Sequence, residues 1–197
     1  MARDTRERIL AVARDLVHGA SLAEVSTEDV CRAAGVHKGS LYHYFSSKEA
    51  LGGAILDRNW DMMRALLEEA FADDVPPLER IDRFVDGFAR MLTLMRDKFG
   101  VTPGCPLGGL AVEVAGHGDE GRAHAGRLLK GWMSYFATAV SEAKGRGDVP
   151  SSVDSAAAAT RVLALMQGLA LLARAQDDPA LMLSAKADIR LLLRASP

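Results

Sequence analysis

Apolar residues recur along this chain at intervals of three and four almost throughout, and few segments carry the alternation of a half-buried strand. Over residues 5–18, Ile9, Leu10, Ala13, Leu16 and Val17 share one helical face, while Arg6, Glu7, Arg14 and Asp15 take the other. Gly19 supplies a stop. A second helix is predicted to open at Ser26. Its hydroxyl suits the free N–H groups of a first turn, and Asp29 three residues on completes an aspartate form of the capping box. Val30, Ala33 and Ala34 would face inward, and Gly35 would end the helix. A tight turn at Gly35-Val36 leads into a third helix over residues 37–45. Ser46 and Glu49 read as a second capping box, starting a long helix that ends near Ala72.

Asp73-Asp74-Val75-Pro76-Pro77 is a breaker, and Pro77 is tolerated in the first turn of a fifth helix with Phe84, Phe88, Met91, Leu92 and Met95 on its apolar face. A loop over 100–104 precedes a short helix that starts near Cys105-Pro106 and runs to Ala115, where Gly116-His117-Gly118 interrupts it. Long helices follow over 120–144 and, capped by Asp154, over 155–175. Asp178-Pro179 opens the last, which runs through Arg194. The pattern predicts an all-α fold of about nine helices.

Composition narrows the function classes. Of the 197 residues, 49% are hydrophobic and 25% charged, as in an ordinary folded domain rather than a disordered one. The net charge of −2 is no general attractant for nucleic acid, and acids and bases balance over residues 1–50, so any such function must rest on a local face. Cys31 and Cys105 lie far apart and form no CxxC pair, which excludes a zinc finger or a disulfide scaffold. The charged start, Met1-Ala2-Arg3-Asp4, lacks the apolar core of a signal peptide. The most apolar run, 162–173, is short for a bilayer and carries Gln167 in its middle. A reduced, cytoplasmic setting without a membrane partner is the expectation. No HExxH, GxSxG, P-loop or dinucleotide fingerprint occurs, which argues against an enzyme and against a cofactor. His117 and His124 flank a Gly-rich turn, but no third ligand stands at metal-binding spacing.

The informative stretch is residues 26–51, S-T-E-D-V-C-R-A-A-G-V-H-K-G-S-L-Y-H-Y-F-S-S-K-E-A-L. Read physically, its second helix buries Leu41 and Phe45 and exposes Lys38, Ser40, Tyr42, His43 and Tyr44. Lysine and hydroxyl groups suit phosphates, His and Tyr edges suit bases or backbone, and Gly39 admits close approach. The helix N-terminus adds a favourable dipole.

Within it, A-G-V-x-x-G-x-L-Y-x-Y-F-x-S-K-E-x-L resembles the DNA-binding signature of the TetR family, over about residues 5–55. The resemblance implies a transcriptional regulator, most often a repressor, that binds a palindromic, double-stranded operator as a homodimer and is released by a small-molecule effector. It implies that Lys38, Gly39, Ser40, Tyr42, His43 and Tyr44 face DNA, with Thr27 and Lys48 near phosphates. His37 departs from the family, whose members often carry a small hydroxyl residue there. A histidine caps poorly, and His37 is a further candidate DNA contact. The rival is a helical adaptor that binds protein instead.

By the same resemblance, residues 1–50 form the DNA-binding domain and 51–197 the ligand-binding and dimerisation domain. Leu163, Met166, Gln167, Ala170 and Leu171 are expected to make a flat subunit contact, backed by Leu181, Leu183, Ile189, Leu192 and Leu193. Residues 104–113 resemble the G-C-x-x-x-x-L-x-x-E stretch of one branch of the family, some of whose members sense electrophiles or oxidants. Cys105, placed where a helix begins, would have its thiolate favoured by the dipole; ordinary packing is the alternative. Cys31 reads as core. Phe88, Met91, Met95, Cys105, Leu110, Trp132, Phe136 and Met166 are candidate walls of an effector pocket suited to an uncharged or aromatic ligand, or equally a plain core.

Overall fold

The computed structural model describes residues 2–195, all helix and connecting turns, with no strand among them. The α-helices are α1 (Ala2–Gly19), α2 (Thr27–Ala34), α3 (Lys38–Tyr44), α4 (Lys48–Ala70), α5 (Pro77–Phe99), α6 (Gly108–Ala115), α7 (Gly118–Arg146), α8 (Ser155–Gln176) and α9 (Ala185–Leu193). A 3₁₀ helix, Pro179–Ser184, precedes α9. The chain forms two compact units, residues 1–61 with 106–127, and residues 62–105 with 128–197. The division falls within α4 and α7, and α6 belongs to the N-terminal unit.

In the first unit, Ile9, Ala13, Val30, Leu41, Phe45, Leu51 and Ile55 supply a small core. The predicted cap of α2 is present. The Ser26 Oγ accepts from the Asp29 N–H at 3.1 Å, and the Asp29 carboxylate accepts from the Ser26 N–H at 3.1 Å. Gly35 closes α2 in the left-handed region, φ 62°. Its N–H reaches the Arg32 carbonyl and the Val36 N–H reaches the Cys31 carbonyl, the paired bonds of a Schellman end. The turn between α2 and α3 is therefore held by main-chain bonds that need a residue without a Cβ penalty. Arg8 of α1 donates to the Ala34 carbonyl at 3.0 Å, and the Arg6 guanidinium lies over the Phe45 ring. Ala33, expected inside, is exposed, and the buried position next to Val30 belongs to Cys31.

Three boundaries differ from the sequence expectation. The cap of α4 is Ser47, not Ser46: the Ser47 Oγ accepts from the Ala50 N–H at 3.1 Å, and the Leu51 N–H bonds the Ser47 carbonyl as Leu51 enters the core. α6 begins at Gly108, not near Cys105. A residue before proline is driven out of the helical region, and Pro106 follows Cys105. Cys105 thus lies outside the helix, ahead of the cap position, Leu107, and the helix-dipole argument for its thiolate loses its geometry. The final helix starts as the tighter 3₁₀ form, although Asp178 caps it as expected through the Ala180 N–H at 2.9 Å.

The second unit is organised around rings. Phe84 and Phe88 of α5 meet Trp132 edge-on at 5.9 and 6.0 Å, and Phe136 joins Phe84 at 5.6 Å. Arg190 and Lys186 of α9 pair with Asp82 and Asp86 of α5, each at 2.5 Å. Asp154 caps α8 by accepting from the Ala156 and Ala157 N–H groups, which hold its carboxyl below the usual range. Asp177, at φ 51°, accepts from both the N–H and the hydroxyl of Thr102 at 2.8 Å, pinning the end of α8 to the loop after α5.

Candidate nucleic-acid interface

The α3 helix is too short to stand alone. It is fixed from beneath by Leu41, fully buried, and Phe45, its C-cap, whose N–H bonds the Leu41 carbonyl at 2.9 Å. That anchoring turns the remaining residues outward. His37, Lys38, Gly39 and His43 are exposed, Tyr42 is 41% exposed, and Ser40 and Tyr44 are half-buried. The His43 and Tyr44 rings contact edge-on at 4.9 Å. His37 occupies the N-cap position and makes no side-chain capping bond, leaving its imidazole uncommitted to the helix start. A Cβ added at Gly39 would meet nothing within 4 Å, so the glycine is not required by the protein's own packing.

The electrostatics differ from the sequence view in one respect. No acid lies between Lys38 and Lys48 along the chain, but the turn brings α2 alongside α3. The Lys38 Nζ donates to Glu28 at 2.5 Å. The hydrogen bond to Lys38 holds the Glu28 carboxyl below its usual value, and the bond to Glu28 raises Lys38. Thr27, the first residue of α2, donates its hydroxyl to the same carboxylate at 3.1 Å. Lys48 is half-buried and donates to the Ala23 carbonyl at 3.0 Å. Cys31 lies under this surface, its thiol pushed up by burial.

Sequence reasoning missed Glu113. This α6 residue accepts from the N–H groups of Leu22 and Ala23 at 3.2 and 2.9 Å, across 91 and 90 positions of sequence. The only signal was its place at the end of the G-C-x-x-x-x-L-x-x-E stretch. His117 and His124 line a cleft of about 500 Å³ in the first unit, where His124 meets Asp57 at 2.6 Å. Among the described residues no group of three ligating side chains converges on a metal position.

The candidate effector walls are dispersed. Phe88, Trp132, Phe136 and Met166 are fully buried in the second unit, Met91 and Met95 are half-buried there, and Leu110 belongs to the first unit. Cys105 is half-buried, and its Sγ accepts from Gln167 at 3.5 Å. The Trp132 Nε1 is buried and finds no hydrogen-bond partner among the described residues. Surface clefts of about 460 and 450 Å³ in this unit are lined by other residues, among them Leu94 and Leu183 in one and Tyr135 in the other.

On α8, three of the expected contact residues, Leu163, Met166 and Ala170, are instead buried in their own chain. The outward face carries Ala164, Gly168, Leu171 and Leu172, with Leu171 67% exposed. On α9, Ile189 and Leu193 are likewise buried, and Leu191 is 77% exposed. α8 is long and apolar enough to cross a membrane by length and composition, more so than residues 162–173 alone suggested.

Residues 9–55 match the family model of bacterial regulatory proteins, tetR family, and residues 77–189 match that of the tetracyclin repressor-like C-terminal domain. The transcriptional regulator AcuR of Cereibacter sphaeroides is 30% identical over 158 residues, 80% of this chain and 70% of that protein. The HTH-type transcriptional repressor DhaR of a Mycobacterium species is 27% identical over 147 residues, 74% of this chain and 70% of its own length. The crystal structure of a regulatory protein TetR from Rhodobacter sphaeroides superimposes with a TM-score of 0.80 at 26% identity, covering 93% of this chain and 95% of that one.

Proposed function

This chain belongs to the tetR family of bacterial regulatory proteins, and from that membership we propose that it is a homodimeric, effector-released repressor of a palindromic operator. Membership itself makes it a transcriptional regulator with a DNA-binding helix-turn-helix, not an enzyme. The observation that carries the finer reading is the division of α3. Leu41 and Phe45 anchor it from inside, while His37, Lys38, Gly39, Ser40, Tyr42, His43 and Tyr44 are left to meet a groove, with Thr27 near a phosphate at the start of α2.

The apolar outward faces of α8 and α9 support pairing of two subunits through a four-helix contact. We read the membrane-like composition of α8 as that interface and place the protein in the cytoplasm. Two heads about 34–36 Å apart then fit successive major grooves. The DhaR name supports repression over activation.

The effector is small and largely apolar or electrophilic, and it enters the ring cluster of the second unit. The unpartnered Trp132 N–H favours a ligand that also carries one hydrogen-bond acceptor. Such a ligand binds only where Phe84, Phe88, Trp132 and Phe136 separate. That gives it the state preference a release mechanism requires.

A salt-titrated mobility-shift assay against palindromes from flanking DNA tests the reading. Specific binding is expected to weaken steeply with salt, log K falling by about 0.9 per log unit of salt for each phosphate contacted. No binding to any duplex at low salt would instead favour the adaptor reading.

A further inference from the structure

The loop between α1 and α2, residues 20–26, delivers the chain to the capped start of α2 and so sets where the helix-turn-helix begins. Three separate contacts converge on two of its residues. The Leu22 side chain is buried against α4, where a Cβ at Gly52 would come 2.5 Å from its Cδ2 and push the leucine tip aside. The Ala23 carbonyl accepts from Lys48 at 3.0 Å. The N–H groups of both residues are taken by the two carboxylate oxygens of Glu113, Leu22 by Oε1 at 3.2 Å and Ala23 by Oε2 at 2.9 Å.

Ala23 is exposed, so side-chain packing does not account for its fixed peptide groups. A carboxylate shared by two adjacent N–H groups is a strong, geometrically demanding clamp, because both oxygens must be in place at once. Glu113 itself is set by α6, whose end is in turn closely seated on α7. A Cβ at Gly121 would lie 2.1 Å from the Val114 carbonyl oxygen. At the other end of α6 the buried Asn59 amide of α4 donates to the Pro106 carbonyl at 2.8 Å.

We propose that Glu113 is a positioning residue for operator binding: its carboxylate clamps the Leu22 and Ala23 peptides and thereby sets the entry of α2. This assigns a role to the glutamate of the G-C-x-x-x-x-L-x-x-E stretch, independent of any chemistry at Cys105. The inference rests on the DNA-binding reading above.

The test compares wild type with Glu113→Ala and Glu113→Gln in the full dimer. It follows operator affinity, thermal midpoint and amide hydrogen exchange at Leu22 and Ala23. Hydrogen bonds to a charged group are strong enough that the alanine variant is expected to lose about ten-fold or more in operator affinity. Exchange at Leu22 and Ala23 should quicken while α5 to α9 stay protected. The glutamine variant, which keeps one acceptor oxygen, should recover part of the loss. Unchanged affinity in both variants, or unchanged exchange at the two amides, overturns the proposal. So does an affinity loss that merely tracks a lowered thermal midpoint, since that marks a structural role. Wild-type protein that binds no operator defeats the DNA-binding reading itself, a result distinct from all of these.

Discussion

α3 and α8 each bury one face in their own unit and leave the other uncovered, yet the uncovered faces are opposites. α3 presents His37, Lys38, Gly39, Tyr42 and His43, whereas α8 presents Ala164, Gly168, Leu171 and Leu172. Exposed polar side chains are stable in water and wait for a partner without needing one. Exposed leucines on a small-residue stripe lose free energy until they are covered. The contrast fits the proposed roles: an intermittent contact with DNA at α3 and a lasting contact with a second subunit at α8.

The comparison breaks most sharply at the permanent contact. Leu171→Glu combined with Leu191→Glu puts unpaired charges into the proposed interface. It is expected to weaken dimerisation by about 100-fold or more, seen as monomer in sedimentation velocity, and to abolish specific operator binding. Retention of the dimer would remove α8 and α9 from the interface.

At α3, Gly39→Ala is the cleaner probe. No protein atom lies within 4 Å of the added Cβ, so folding stability should hold or rise by about 1 kcal/mol from helix propensity. Operator affinity should fall by about ten-fold, on the order of one poorly met contact. Calorimetry beside a shift assay separates the two, and a variant that binds DNA normally would show that no groove wall approaches Gly39.

Lys38→Met should weaken binding to all sequences alike and flatten the salt slope by about 0.9, if Lys38 leaves Glu28 for a phosphate. An unchanged slope would mean that the lysine stays with its acid.

The smallest effect belongs to Glu28→Gln. Because Glu28 competes for Lys38 in the free protein, its neutralisation should tighten operator binding by roughly two- to three-fold. The pH dependence has a definite sign. Glu28 titrates below its ordinary value in the folded chain, so the pair is intact at neutral pH and is lost only as pH falls through that lowered range. Binding titrations between pH 6 and 8 should therefore show no step from this pair.

Much of the first unit was legible in the residue order because its determinants are local. The Ser26 and Asp29 box, the left-handed Gly35 and the inward pair Leu41 and Phe45 are set by spacings of three or four residues. Errors of one to three residues arose where two local signals competed. Ser46 and Ser47 both suit a cap, and the burial of Leu51 selected the second. Cys105 looked like a helix start until Pro106 is counted as forcing it out of the helix. The faces of α8 were harder to read. A helix apolar nearly all round has no polar side to name its outside, so periodicity could not say that Leu163, Met166 and Ala170 turn inward and Leu171 outward.

The residue pattern by itself determined the helical class, the family and the outward chemistry of α3, because each depends on side chains a turn or two apart. Tertiary structure alone decided that Glu28 would neutralise Lys38, that Glu113 would hold Leu22 and Ala23, and that the Trp132 N–H would be left without a partner. Those facts join residues from 10 to 91 positions apart, or depend on what surrounds a buried atom. Helical periodicity carries no information about which distant groups meet. Only the packing of one helix on another fixes such distances, and hydrogen bonds and ion pairs fall away within an ångström of their optimum.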